Sequence, residues 1–178
     1  MPTKKKSGAG SLRSPEPIRT AHDVIAFDSG EPALDDWLRR HALRNETRSG
    51  SRTYVVCAEP GNRVVAYYSL AVGAIAHTGA SGRIRRNMPD PIPVMVIGRL
   101  AVDRKFQVNG LGRAMLRDAI LRTIQAAGIV GVRAILVHAL SDEARRFYER
   151  CGFRSSAIDP MTLMITVAEG EKALASNK

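Results

Sequence analysis

The sequence predicts a single α/β domain, a sheet of apolar strands covered by amphipathic helices. Four runs rich in Val, Ile and Tyr, at 53–58, 63–72, 94–102 and 133–139, have the length and composition of strands. Between the last two, Leu116, Ala119, Ile120, Ile124 and Ala127 recur at the helical period. No segment repeats, and 178 residues with 44% hydrophobic side chains suffice for one core.

Residues 1–17 are polar and basic and carry Gly, Ser and Pro, a composition expected of a flexible tail. The domain is expected over 18–168, followed by a second flexible tail at 169–178. Val24 to Phe27 reads as a short strand. Pro32 then opens a helix, since its fixed φ suits a first turn, and Leu34, Trp37, Leu38 and Ala42 form its core face. Arg40, Arg44 and Arg48 fall four apart and make a stripe on another face.

The first two strong strands flank Glu59-Pro60-Gly61-Asn62, a hairpin signal. A long connection from Gly73 to Pro93 carries Arg83, Arg85 and Arg86, and long loops inside compact domains usually serve function or are partly disordered. The next strand, 94–102, is apolar nearly throughout and so expected to be central. A helix runs from Gly110 to Ala127 and stops at Gly128. Ser141 caps a short helix ending at Gly152, with Asp142 and Glu143 suited to its positive end. Strands at 153–155 and 161–167 complete the sheet.

Composition narrows the function. No run approaches the ~20 apolar residues that span a bilayer, and no apolar segment follows Lys4, Lys5 and Lys6 to make a signal peptide. With two cysteines, Cys57 and Cys151, at no metal-ligand spacing, the expectation is a cytoplasmic protein without a metal. Twenty-seven Lys and Arg against 17 Asp and Glu leave a net charge of +10. That surplus suits a polyanionic partner or a phosphorylated cofactor. Solubility alone is the plainer reading of it.

The segment Arg99-Leu-Ala-Val-Asp-Arg-Lys-Phe-Gln107-Val-Asn-Gly110-Leu-Gly112-Arg113 runs strand, turn, helix. Glycines there let a ligand approach the backbone, and a helix N-terminus offers unpaired N–H groups to phosphate. No Gly-Lys-Ser/Thr follows, which excludes a Walker loop. Met115 stands where a dinucleotide fingerprint needs Gly or Ala.

Gln107-x-x-Gly110-x-Gly112 after a strand, followed by Ala144-x-x-Phe147-Tyr148-x-x-x-Gly152-Phe153, resembles the GNAT superfamily of N-acetyltransferases over residues 93–155. The resemblance implies a mixed, largely antiparallel central sheet flanked by helices, with a splayed strand pair for CoA. It also implies acetyl-CoA as donor. The amides of Val108, Asn109, Gly110, Leu111 and Gly112, with Gln107 and Arg113, are then expected to hold the pyrophosphate. The strand at Leu100, Ala101 and Val102 would pair with the pantetheine arm. Many members carry Asn where this chain has Ser141, so that contact is the weakest of the set.

Periodicity alone reads Tyr148 as a core aromatic. Beside an acyl-CoA loop, the same phenol becomes the acid that protonates the departing thiolate, since a pKa near ~10 keeps it protonated at neutral pH. Backbone N–H near Leu100 is the candidate oxyanion donor. No general base is evident. His138 is a candidate, with a buried structural histidine as the alternative. A missing base favours an α-amine acceptor, near ~7.8, over a lysine amine near ~10.4.

Further stretches, Ser29-Gly-Glu-Pro-Ala-Leu-Asp-Asp-Trp-Leu-Arg-Arg, Arg52-Thr-Tyr-Val-Val, Arg85-Arg-Asn-Met-Pro-Asp-Pro-Ile-Pro-Val, Val137-His-Ala-Leu-Ser-Asp-Glu-Ala and Asp159-Pro-Met-Thr-Leu-Met, resemble the GNAT-type toxins of bacterial toxin–antitoxin modules over residues 24–168. That resemblance implies acetylation of the α-amine of aminoacyl-tRNA, a small ribbon-helix-helix antitoxin and a homodimer. Arg40, Arg44, Arg48, Arg52, Arg83, Arg85 and Arg86 are the candidate RNA contacts, against a solvated charged face as the plainer reading of each. The competing readings are a small-amine acetylase, a protein N-terminal acetylase and an RNA-binding module without catalysis. The last shows no aromatic interleaving.

Overall fold

The computed structural model describes residues 10–176. One seven-stranded sheet runs through it: β1 (Glu16–Pro17), β2 (Arg52–Ala58), β3 (Arg63–Ile75), β4 (Ile92–Val102), β5 (Ala134–His138), β6 (Arg154–Ser155) and β7 (Thr162–Thr166), in the order β1-β2-β3-β4-β5-β7-β6. Every neighbouring pair is antiparallel except β4 and β5, which are parallel and therefore need the long crossover helix between them. The mixed, largely antiparallel sheet is the expected one.

Helices cover both faces. The first is α1 (Pro32–Trp37), continued by a π-helical turn at Leu38–Ala42 and by α2 (Leu43–Thr47). It packs Trp37, Leu38 and Ala42 on Val55, Cys57, Val64 and Tyr67. Next, α3 (Gly82–Arg85) seats Ile84 against Val94, Ala134 and Leu136 of that same face. The other face carries α4 (Leu111–Ala127) and α5 (Asp142–Arg150), whose Met115, Leu116, Ala119 and Tyr148 meet Val56, Val65, Met95, Ile97 and Ile135. Alternation along each strand produces this division, because successive side chains point to opposite faces.

Four expectations change. Residues 10–17 are held to the sheet: Leu12 bridges Ala58, and Glu16 and Pro17 pair with Val55 and Tyr54. Residues 1–9 lie outside the described residues. The expected second tail is α6 (Val167–Ala175), which Thr166 and Glu169 open with a reciprocal capping box. Gly170 of this helix sits close enough to α4 that a Cβ there would come within 3.0 Å of Ile120. Residues 24–27 form no strand; only Asp23 bridges Arg63, and a turn follows. The long connection also shortens, because β3 runs on to Ile75 and α3 fills part of the rest.

Two irregularities shape the middle of the sheet. Ser69 faces Arg99 while Leu70 faces Ile97, so Gly98 is an extra residue, a β-bulge in β4. Parallel pairing of β4 with β5 covers Val94–Ile97 and stops there. From Gly98 onward, β4 stays paired with β3 alone, and the two central strands splay.

Candidate functional site

The splay opens a cleft of about 100 Å³ that passes through the sheet. Ala144 and Tyr148 line it from the α5 side, Glu31 and Leu34 from the α1 side, with Gly98, Arg99 and Leu100 of β4 between them. The side chains of Ala101 and Val102 are buried in the two opposite cores. Of Leu100, Ala101 and Val102, only Leu100 lines the cleft. Past Ile97, β4 has no partner strand on this side, and the Val102 carbonyl is taken by Gln107. The backbone edge open to an extended polyamide is therefore centred on Leu100.

The turn from β4 into α4 is built for an anion. Val108 and Gly110 both have positive φ, 65° and 77°, and such left-handed residues curl successive N–H groups toward one point. The first α4 bond runs from Ala114 N–H to the Gly110 carbonyl. The amides of Leu111, Gly112 and Arg113 precede it and have no intrahelical carbonyl to reach, at the positive end of a 17-residue helix. A Cβ added at Gly110 would meet no protein atom within 4 Å, so glycine there serves backbone conformation and an open approach. Asn109 and Arg113 are exposed beside it.

Gln107 is used differently from the expectation. Its side-chain amide donates to the carbonyls of Val102 at 2.8 Å and Ser29 at 3.0 Å, bracing the turn rather than facing a ligand. Asp103, not singled out in the sequence, does related work. Buried, it accepts the Lys105 N–H at 3.0 Å and the Asp28 N–H at 3.2 Å and pairs with Arg63. An Asp bonding its own backbone two residues on is a recognisable turn signal.

Tyr148 is buried, its ring 5.2 Å from that of Phe147 and 5.7 Å from that of Phe153. Its hydroxyl makes no hydrogen bond among the described residues, and the residue lines the cleft. Burial, helped by nearby Cys151, pushes the phenol up to about 12, so it remains a proton donor at any physiological pH. Ser141 accepts the Ala144 N–H at 3.1 Å as the cap of α5 and keeps its own hydroxyl proton for the cleft. His138 is exposed, not buried. It stands between this cleft and a second pocket of about 310 Å³ lined by Ala74, Val96, Leu136 and Ile158.

Arg40, Arg44 and Arg48 lie exposed along the π-helical turn and α2, and Arg83, Arg85 and Arg86 along α3 and its end. These two groups sit on elements that cover the sheet face opposite α4 and α5. Arg52, on β2, instead lines a pocket with Tyr54, Met95 and Arg122 on the α4 side. Arg40 and Arg48 have no ion-pair partner among the described residues, and Arg44 reaches His41 Nδ1 at 2.8 Å. Arg52 is engaged by Glu46 and Arg83 by Glu169 of α6. Arg85 and Arg86 are exposed without a salt bridge among the described residues.

Comparison with known proteins agrees with this geometry. The acetyltransferase (GNAT) domain family matches residues 49–155. The chain is 54% identical over 156 residues to the tRNA-acetylating toxin of Mycobacterium tuberculosis (strain ATCC 25618 / H37Rv), covering 88% of this chain and 93% of that protein. Among solved structures, AtaT complexed with acetyl-methionyl-tRNAfMet superposes with a TM-score of 0.84 at 27% identity, over 91% of this chain and 98% of that one. A mutant AtaT toxin bound to the C-terminus of the antitoxin AtaR and acetyl-CoA superposes with a TM-score of 0.76 at 28% identity, over 90% and 96%.

Proposed function

Because the chain belongs to the GNAT acetyltransferases, we propose that it is a toxin whose acceptor is the α-amine of an amino acid esterified to tRNA, which it acetylates to block translation. The chain is an acetyl-CoA-dependent N-acetyltransferase, and acetyl-CoA enters as a substrate. The amides of residues 108–112 hold its pyrophosphate at the start of α4. The open edge of β4 centred on Leu100 takes the pantetheine arm, which brings the thioester to the cleft beside Tyr148. Backbone N–H at the Gly98 bulge and Leu100 stabilises the oxyanion. Tyr148, protonated and without a hydrogen-bond partner among the described residues, gives its proton to the departing sulfur.

One observation carries the choice of acceptor. The cleft runs through the sheet, from the α5 side to the face that bears both arginine groups. An acceptor entering from that face passes Arg40, Arg44, Arg48, Arg85 and Arg86. Those guanidinium groups suit a phosphodiester backbone and repel a polyamine. Arg83 joins this surface once phosphate outcompetes Glu169, and Arg52, on the α4 side of β2, extends the basic surface round the sheet edge. The identity to a tRNA-acetylating toxin and the likeness to AtaT in its acetyl-methionyl-tRNA complex support the same reading.

The partner that would silence the enzyme is a small antitoxin, as the likeness to AtaT bound to AtaR supports; its ribbon-helix-helix type rests on the sequence resemblance alone. A homodimer working in the cytoplasm completes the proposal. No helix among the described residues is long and apolar enough to cross a membrane. The test is to incubate the protein and labelled acetyl-CoA with charged tRNA, deacylated tRNA, N-terminal peptides and polyamines. Label on the amino acid of charged tRNA alone supports the toxin. Label on peptide or polyamine, with charged tRNA untouched, overturns it.

A further inference from the structure

We propose that His138 is the general base of the transfer, and that Thr162 and Asp159 are positioning residues that hold its ring in the tautomer a base requires. This role depends on the chain being an acetyltransferase but not on which amine it acetylates.

The tautomer follows from counting protons. Asp159 accepts the Thr162 hydroxyl at 2.7 Å through Oδ2 and the Met161 N–H at 3.0 Å through Oδ1. Those two bonds, first the hydroxyl and then the amide, hold its carboxyl below the usual range, so it is a carboxylate and only accepts. The single hydroxyl proton of Thr162 is therefore committed to Asp159. His138 Nδ1 lies 2.9 Å from that same Oγ1, which has only a lone pair left to offer. Nδ1 must carry the proton, and neutral His138 then keeps its lone pair on Nε2. A backbone bond from Thr162 N–H to the Asp159 carbonyl at 3.1 Å closes the turn that fixes the relay.

Position completes the case. His138 ends β5 on the side of Leu136, the arginine-bearing face, whereas Tyr148 reaches the cleft from α5 on the other face. It borders both the cleft and the larger pocket. The charged or titratable groups facing it are Asp159 through Thr162, and Glu31, Arg99 and Tyr148 across the cleft. A base on one side and an acid on the other match a reaction in which the amine adds from one side and the thiolate leaves from the opposite one.

The step balances. The amine nitrogen adds to the thioester carbon, forming C–N and moving the π pair onto oxygen. The N–H proton passes to His138 Nε2. The oxyanion's pair then re-forms the carbonyl as the carbon–sulfur bond breaks, and the sulfur takes the Tyr148 proton. Solvent later removes the proton from His138 and restores the one on Tyr148, leaving an N-acetyl amine and CoA thiol.

The experiment compares wild type, His138→Ala, Asp159→Asn and Thr162→Val by kcat across pH, with acetyl-CoA affinity measured by calorimetry. Using kcat keeps the free acceptor's own titration out of the profile. His138→Ala should lose ~10²-fold or more in kcat and lose the acid limb, with acetyl-CoA affinity unchanged and partial rescue by added imidazole. Asp159→Asn should lower kcat by less than His138→Ala, because the Thr162 hydroxyl is no longer committed to a carboxylate and Nδ1 loses the partner that fixes its tautomer. Thr162→Val should lower kcat with the acid limb retained. A His138→Ala enzyme that keeps more than half of wild-type kcat, or an unchanged acid limb, overturns the proposal. The series is run on whichever amine the wild type acetylates. Failure of the tRNA reading then shows in the wild type's own labelling pattern and leaves this test standing.

Discussion

Gln107 donates its side-chain amide to the Val102 carbonyl at 2.8 Å, tying the turn before α4 to the last residue of the strand it leaves. The second bond of that amide, to the Ser29 carbonyl, pins the turn to a segment 78 residues away in sequence. The motif glutamine thus fixes the backbone whose amides we propose hold the pyrophosphate.

Gln107→Ala should therefore weaken acetyl-CoA binding only moderately. Two hydrogen bonds of about 1 kcal/mol each set an upper limit of about 30-fold, since part of the loss falls on global stability. Calorimetry on the folded variant should show a several-fold rise in Kd, with kcat at saturation nearly unchanged. A loss above about 100-fold would mean that the amide touches the ligand directly.

Gly110 offers a sharper test of the pyrophosphate position. Asp and Asn impose the same left-handed strain at φ 77° and nearly the same volume, and no protein atom obstructs either. Only Asp adds a negative charge at the positive end of α4. Gly110→Asp should lose more than about tenfold in acetyl-CoA affinity relative to Gly110→Asn, a difference of about 1.4 kcal/mol. Equal affinities for the two variants would move the pyrophosphate elsewhere.

Tyr148→Phe keeps the packing against Phe147 and Phe153 and removes a hydroxyl with no hydrogen-bond partner among the described residues. Thermal stability should hold, because no bond inside the protein is broken. Turnover should fall by ~10²–10⁴-fold, the usual worth of a general acid. The phenol is raised to about 12, so its donor form persists as pH rises and is lost only through that value. Wild-type kcat should consequently show no fall due to this group at about pH 10, where an ordinary phenol titrates. Retention of more than half the turnover in the Phe variant would return Tyr148 to a packing role.

Replacing Arg85 and Arg86 with alanine should reduce the salt dependence of charged-tRNA binding. Each lost phosphate contact lowers the slope of log affinity against log salt by roughly 0.7–0.9. KM for charged tRNA should rise while acetyl-CoA affinity stays the same. Arg83→Ala should additionally loosen α6, because it removes the pair with Glu169, whose own carboxylate takes part in the capping box at Thr166. An unchanged salt slope in the double variant would exclude the α3 loop from the RNA path.

Sequence alone determined the elements whose signals are local. The helical spacing of Leu116, Ala119 and Ile120, the cap at Ser141, the apolar run that became β4 and the glycine turn before α4 all depend on residues within a few positions of one another. The turn before α4 and the place of Tyr148 on α5 were legible for that reason. Signals spread over long separations were not. The Gly98 bulge exists only in the register between β3 and β4, and the splay only where pairing with β5 ends at Ile97. His138 reads as an ambiguous histidine until folding sets Thr162, 24 residues on, against its ring. The expected tails became a strand and a helix because Pro17 meets Tyr54 and Gly170 meets Ile120. Periodicity reports which face of an element is apolar. Which groups meet across elements is decided by packing, where each side chain's partner is set by the whole sheet at once.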